Sequence, residues 1–290
     1  MSGSPHYGGS ALTYVDQYDE SKIWTNKEYP TNYFRLKLVR RILADVGVTS
    51  LYEHDVGDAT PLVAVANDGI RVAGNDVSSE MVKFERANMI KHGLDHESIN
   101  LLDVQSHNSI DIERSRAGSF DAVMALGVIP HAEDDRWFVA FMDKFLEAAG
   151  RLLLQFRNSL FCMFTFNRLT KEFVMDELLL GVPESIREIV SADLDQRMVI
   201  DKPPNRTRPT GDGYDEILSR FHTFELSEIV KSFGYKDSQF HWYNYHPAYP
   251  MLAGSIDPKV YRQAQMDLDV GTSWRGMFLC SAGLIEAVKV

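Results

Sequence analysis

Five positions between residues 50 and 130 are of types that can act together: Glu53, Gly57, Asp76, Asp103 and Gly127. Each closes or follows a short apolar run, in "SLYEHDVGDAT", "IRVAGNDV", "INLLDV" and "FDAVMALG". An ionised carboxylate only accepts hydrogen bonds, so Asp76 can take both hydroxyls of a ribose, and Asp103 can take an adenine amino group. Glycine at 57 lets a ligand approach the backbone closely. Taken singly, each residue has a plainer use as a helix cap or a turn; taken together, they mark the footprint of a nucleoside lying across the strand ends of a sheet.

Three histidines are candidates for a general base, because imidazole changes charge near neutral pH. They are His131 in "VIPHAEDD", His222 in "SRFHTFEL" and His246 in "QFHWYNYHPAYPML". His222 also stands where loop packing before a helix would use it, and His241 alternates onto the other face of its strand. The run Trp242, Tyr243, Tyr245 and Tyr249 has the pattern of sheet core, with hydroxyls that leave a stacking platform open as an alternative. Arg157, Arg168, Arg206 and Arg208 flank an irregular stretch and could grip a phosphate or carboxylate, or be solvated. No His and carboxylate cluster shows ligand spacing, and Asp134 and Asp135 read as a helix start, so no metal is expected.

The elements that must position these residues alternate. Apolar residues Phe34, Leu38, Val39 and Ile42 recur at helical spacing before Gly47. Then come a strand in "TSLYEHDV", a helix in "TPLVAVANDG", a strand in "IRVAGNDV", a helix in "SSEMVKFERANMIKHG", and strands in "SINLLDV" and "SFDAVMALGVI". A helix over "DDRWFVAFMDKFLEAAG" and a fifth strand in "RLLLQFRNSLF" follow. Strands apolar on both faces and separated by helices predict a parallel sheet covered on both sides. "SQFHWYNYH" and "WRGMFLCSAGLIEAVKV" predict a closing antiparallel pair. We divide the chain into a tail and N-terminal segment (1–28), an α/β core (29–158), an inserted lobe (159–220) and a completion of the core sheet (221–290).

With 41 acidic against 30 basic side chains and a net charge of −11, the chain is poorly suited to phosphate backbones, so a small-molecule substrate is expected rather than nucleic acid. No apolar run is long enough to span a bilayer, and "MSGSPHYGGS" lacks the features of a secretory signal, so the expectation is a cytoplasmic protein without membrane contact. Two distant cysteines give no disulfide framework. A homo-oligomer is compatible with all of this.

"LYEHDVGDATPLVAVA" resembles the first motif, an acid-x-Gly-x-Gly-x-Gly turn, of class I S-adenosylmethionine-dependent methyltransferases. Glu53 stands at the acid, Gly57 at the middle glycine, Asp55 at the first and Ala59 at the third. "AGNDVSSEMV", "INLLDV" and "GSFDAVMALGVIPHAEDD" resemble the following motifs in the same order, over residues 45–157. The resemblance implies a Rossmann-like seven-stranded, mostly parallel sheet and a pocket for S-adenosylmethionine, with S-adenosylhomocysteine as product. In that pocket Asp76, with Val77, would hold the ribose; Asp103, Val104 and Met81 would meet the adenine; and Glu53, Asp55, Gly57, Leu126 and Gly127 would line the rest. His131 would lie near the transferred methyl. Tyr14, Tyr18 and Trp24 in "YVDQYDESKIW" would fold over the cofactor as a lid, or pack an aromatic face on the domain.

Asp55, where glycine is usual, is compatible with contact to the cofactor's ammonium, with crowding it out, or with lost activity. The C-terminal stretches "FHTFEL" and "QFHWYNYHPAYP" resemble methyltransferases acting on polysaccharide or nucleotide-linked sugars, which implies a sugar hydroxyl or amino acceptor in glycan or natural-product biosynthesis. Two rival readings are an NAD-dependent oxidoreductase and a degenerate fold used as a scaffold. Asp55 and Asp58 oppose the first by repelling a pyrophosphate at the helix N-terminus.

Overall fold

The computed structural model describes residues 18–24, 30–198, 221–249, 252, 255–269 and 273–290. Seven strands form one sheet: β1 (Ser50–His54), β2 (Arg71–Asp76), β3 (Ile99–Leu101), β4 (Phe120–Ala125), β5 (Leu146–Arg157), β6 (Tyr235–Tyr245) and β7 (Cys280–Lys289), in the order β3-β2-β1-β4-β5-β7-β6. β1 to β5 pair in parallel, and β7 runs antiparallel between β5 and β6. β6 therefore points the same way as β5, and its end joins the carboxyl edge of the sheet.

Helices cover both faces. α1 (Thr31–Val46), α2 (Thr60–Asn67) and α3 (Ser79–Lys91) pack Val39, Leu62 and Met89 onto one face against Leu51 and Leu153. α4 (His107–Ala117), α5 (Asp135–Asp143) and α7 (Glu225–Ser232) pack Ile110, Phe141 and Val230 onto the other, against Tyr52 and Phe156. Neighbouring residues of one strand thus feed opposite cores, as the pleat requires.

After β5 the chain is helical as far as described: Cys162–Thr165, Arg168–Glu172, a π-helical turn over Phe173–Leu178, and α6 (Glu184–Met198), none of whose residues is buried. α8 (Pro258–Leu268) lies between β6 and β7 in sequence, its buried Gln265 donating to the Tyr245 carbonyl at 2.9 Å. The rest of the expected lobe, with Arg206 and Arg208, and the tail with Tyr14 lie outside the described residues. No helix of the described residues is long and apolar enough to cross a membrane. Cys162 and Cys280 are free and buried.

Three elements differ from the sequence expectation. The helix expected to reach Gly150 stops at Asp143, and β5 begins at Leu146, because Phe120 donates to the Phe145 carbonyl at 2.9 Å and Ala149 adopts φ 60°. β3 has only three residues, so Asp103 lies beyond its end. "GMFL" is a helical turn at Gly276–Leu279 rather than strand, and its Gly276 lies so close to Trp242 that a Cβ there would come within 2.6 Å of the ring.

Candidate functional site at the carboxyl edge of the sheet

The turn after β1 explains its own composition. Asp55, Gly57 and Ala59 all have left-handed backbone, with φ of 58°, 69° and 60°. These are the three positions that glycine fills in the motif it resembles, and only Gly57 adopts that conformation without cost. Asp58 accepts from the Thr60 amide at 3.0 Å and the Thr60 hydroxyl at 2.9 Å, placing a carboxylate on the first turn of α2, where a pyrophosphate would bind. Asn88 of α3 donates to the Asp58 carbonyl at 2.7 Å and ties the turn down.

Of the acids named from the sequence, Glu53, Asp55 and Asp76 lie close enough to act on one another. Asp76 closes β2, 2% exposed, and its Oδ1 accepts from the Ser78 amide at 2.7 Å. Ser78 in turn caps α3 through the Met81 amide, so this serine is a helix cap. Burial pushes the Glu53 carboxyl well above the usual range; Arg35 opposes the shift, and Asp58 and Asp55 add to it. Asp55 is exposed to solvent, and desolvation and the neighbouring Asp76 push its carboxyl upward as well. His54, between them in the chain, points elsewhere: its Nδ1 donates to Asn75 Oδ1 at 2.6 Å, and burial lowers its pKa to about 3.

Asp103 and Val104 stand past the end of β3, and Asp103 Oδ1 accepts from the Gln105 amide at 3.0 Å. Val77 is exposed at the edge and Met81 is half-buried. Leu126 and Gly127 follow β4; a Cβ on Gly127 (φ 89°) would lie 3.4 Å from Gln155 Oε1 and 3.9 Å from an Arg35 nitrogen.

The sequence reading missed Arg35, Gln155 and Glu85. Arg35 of α1 donates through Nη1 to Gln155 Oε1 at 3.1 Å and through Nη2 to the Tyr18 hydroxyl at 3.2 Å, with Tyr243 and Glu53 also beside it. The half-buried Arg35 side chain, interrupting the apolar face of an amphipathic helix, was the available signal. Tyr18 thereby stands over the turn, its hydroxyl pushed up to about 12 by burial and by the nearby Asp58 and Glu53, with Arg35 opposing. Trp24 is 45% exposed.

The three histidines part company. His222 is buried, its Nε2 3.3 Å from Asp135 Oδ1. His131 sits half-buried in the 3-10 turn after β4. His246 follows β6, its ring 4.8 Å from that of Phe161, its Nε2 buried without a hydrogen-bond partner, and its pKa lowered by burial to about 4. The rings of Phe164 and Tyr249 lie 4.7 Å apart, tilted by 38°, and Phe164 lies 6.2 Å from the same Phe161. Trp242, Tyr243 and Tyr245 are core, while Tyr249 is 40% exposed. Arg168 is exposed and pairs with Glu172, and Arg157 is half-buried at the end of β5. Among the described residues, no three His, Cys, Asp or Glu side chains are placed to hold a metal ion. Shallow grooves outside α1 and at the amino end of β2 hold none of these acids, so the site is located by its chemistry.

Residues 55–154 match the family model described as a methyltransferase domain. That stretch runs from the turn after β1 into β5 and includes Asp55, Gly57, Asp76, Asp103 and Gly127. No curated protein matches the chain. Remote likenesses among solved structures include an S-adenosylmethionine-dependent methyltransferase from Archaeoglobus fulgidus (14% identity, TM-score 0.48, 88% of this chain and 96% of that one). Another is magnesium protoporphyrin IX methyltransferase from Synechocystis with bound S-adenosylhomocysteine (14% identity, TM-score 0.48, 98% and 97%). At this distance they say nothing of the acceptor.

Proposed function

We propose that the carboxyl edge of the sheet binds S-adenosylmethionine with its ribose on Asp76, its adenine beside Asp103, Val104 and Met81, and its methionine part over Gly57. The donor set fits that group: a carboxylate for two hydroxyls, Glu53 and Asp55 for an ammonium, and Arg35, whose Nε is buried without a partner, for a carboxylate. When bound, the cofactor supplies a methyl group on a sulfonium that leaves without acid assistance.

The chain's own part is then to hold the acceptor in line and keep water out. Tyr18, tied to Arg35, covers the methionine end. His246 takes the acceptor's proton on Nε2; with its pKa lowered to about 4 the ring is neutral near pH 7 and that nitrogen is open to accept. His131 lines the approach from β4. We propose a small polar acceptor, a sugar hydroxyl or amino group in glycan or natural-product biosynthesis, whose ring rests on Phe164 and Tyr249. A cytoplasmic setting follows from the same reading.

The observation that carries the proposal is the convergence of Glu53, Asp55 and Asp76 around a turn whose helix start is already occupied by Asp58. Calorimetry with S-adenosylmethionine, S-adenosylhomocysteine and NAD tests it. Binding of the first two and weakening by at least tenfold in Asp76→Ala are expected, from the loss of hydrogen bonds to a charged group worth about 1.5–3 kcal/mol each. Binding of NAD alone, or of none of the three, overturns it. Mass spectrometry of nucleotide sugars incubated with labelled cofactor then identifies the acceptor.

A further inference from the structure

Helix α3 carries one side chain that its amphipathic pattern does not explain. Glu85 is fully buried, 0% exposed, and neither Oε1 nor Oε2 has a hydrogen-bond donor. A lone carboxylate in such a place is strongly disfavoured. No cation is among the groups that act on it; its neighbours are the carboxyls of Asp76, which it touches, and of Asp55 and Glu53.

Two ionised carboxylates have no proton between them and cannot bond, so the contact becomes a hydrogen bond only if one side is protonated. Burial, with Asp76, Asp55 and Glu53 adding, pushes Glu85 up to about 11, which assigns the proton to Glu85. Asp76 already accepts the Ser78 amide on Oδ1, and the carboxyl of Asp55, which faces solvent where Glu85 does not, also stands against it. A single donor fixes one oxygen and leaves the carboxyl plane free to turn about it, whereas recognising two hydroxyls needs both oxygens in a set orientation.

We propose that Glu85 is a positioning residue for the cofactor: its carboxylic O–H donates to the Asp76 carboxylate and fixes the plane of the group that accepts the ribose hydroxyls. This rests on the reading that Asp76 holds the ribose. It also accounts for a glutamate that is worth nothing to the core, since an apolar residue would pack there at lower cost.

The test is calorimetry of the full chain with S-adenosylhomocysteine and with its analogue lacking the ribose 2′ hydroxyl, on E85Q, E85M and D76A. E85Q keeps an N–H donor toward Asp76 and is expected to bind within about threefold of the unmodified chain. E85M fills the space without a donor and is expected to bind S-adenosylhomocysteine at least tenfold more weakly, with a smaller loss on the 2′-deoxy analogue. E85A serves the same comparison if E85M does not fold, as read from its thermal melt. The inference is overturned if E85M binds as the unmodified chain does, if E85Q is as weak as E85M, or if the loss is equal on both ligands. An unchanged affinity in D76A overturns the ribose reading instead.

Discussion

Arg35 of α1 and Gln155 of β5, 120 residues apart, meet across the strand ends, Nη1 donating to Oε1 at 3.1 Å. This bond joins the helix before the first strand to the strand beside the sheet's antiparallel closure, and it sets the floor beneath Gly127. Because Arg35 also faces Glu53, its removal leaves a buried acid without its opposing cation. Arg35→Met is expected to weaken S-adenosylmethionine binding about tenfold or more and to lower the melting temperature, while Arg35→Lys recovers part of the stability and little of the binding. Calorimetry and thermal denaturation of the pair check this.

Stability should fall as the solution becomes alkaline. An acid whose pKa rises on folding stabilises the native state fully below its unfolded value and loses that contribution as pH climbs toward the folded one. For Glu85 the window runs from the ordinary 4.5 up to about 11. The slope for one such group is at most about 1.4 kcal/mol per pH unit. Urea unfolding at pH 6 and pH 8.5 should show the drop, and Glu85→Gln should flatten it.

The acid side carries the opposite slope. His54 and His246 are neutral in the folded protein, lowered to about 3 and about 4, so the unfolded chain binds protons first as pH falls below 6.5. Between pH 6.5 and pH 4.5 these two groups therefore work against the gain that Glu85 makes as pH falls, and His54→Asn should raise the stability at pH 4.5 relative to that at pH 6.5 in urea unfolding.

Replacing His246 separates chemistry from cofactor binding. With its Nε2 open and its ring against Phe161, His246→Ala is expected to lower kcat about 10²- to 10⁴-fold on the acceptor found by mass spectrometry. The affinity for S-adenosylmethionine, measured by calorimetry, should stay within twofold.

Gly74 on β2 tests the packing beneath the turn. A Cβ there would fall 2.5 Å from Val56 Cγ2 and 2.7 Å from the Glu53 carbonyl oxygen. Gly74→Ala is expected to cost about 1–3 kcal/mol in urea unfolding, because the backbone atom cannot move aside without shifting the acid-bearing turn.

The alternation of apolar runs with helical repeats was enough to place β1 to β5 and the helices between them, and Glu53, Asp76 and Gly127 at their ends. These features are local: a strand and the residue that closes it are neighbours in the chain, so periodicity reports them directly. Where the signal was weak the boundaries slipped, as at Leu146–Gly150, where pairing with β4 overrides a helical pattern.

The amino-acid sequence alone thus determined the sheet and its row of acids, because residue order and hydrophobic spacing are properties of short segments. Which side chains share that edge was decided by the tertiary structure. Arg35 reaches Gln155, Glu85 lies against Asp76, and His222 is taken up by Asp135 while His246 keeps a bare nitrogen. Those relations exist only once burial removes water and the closed sheet brings distant segments together, which no pattern along the chain encodes.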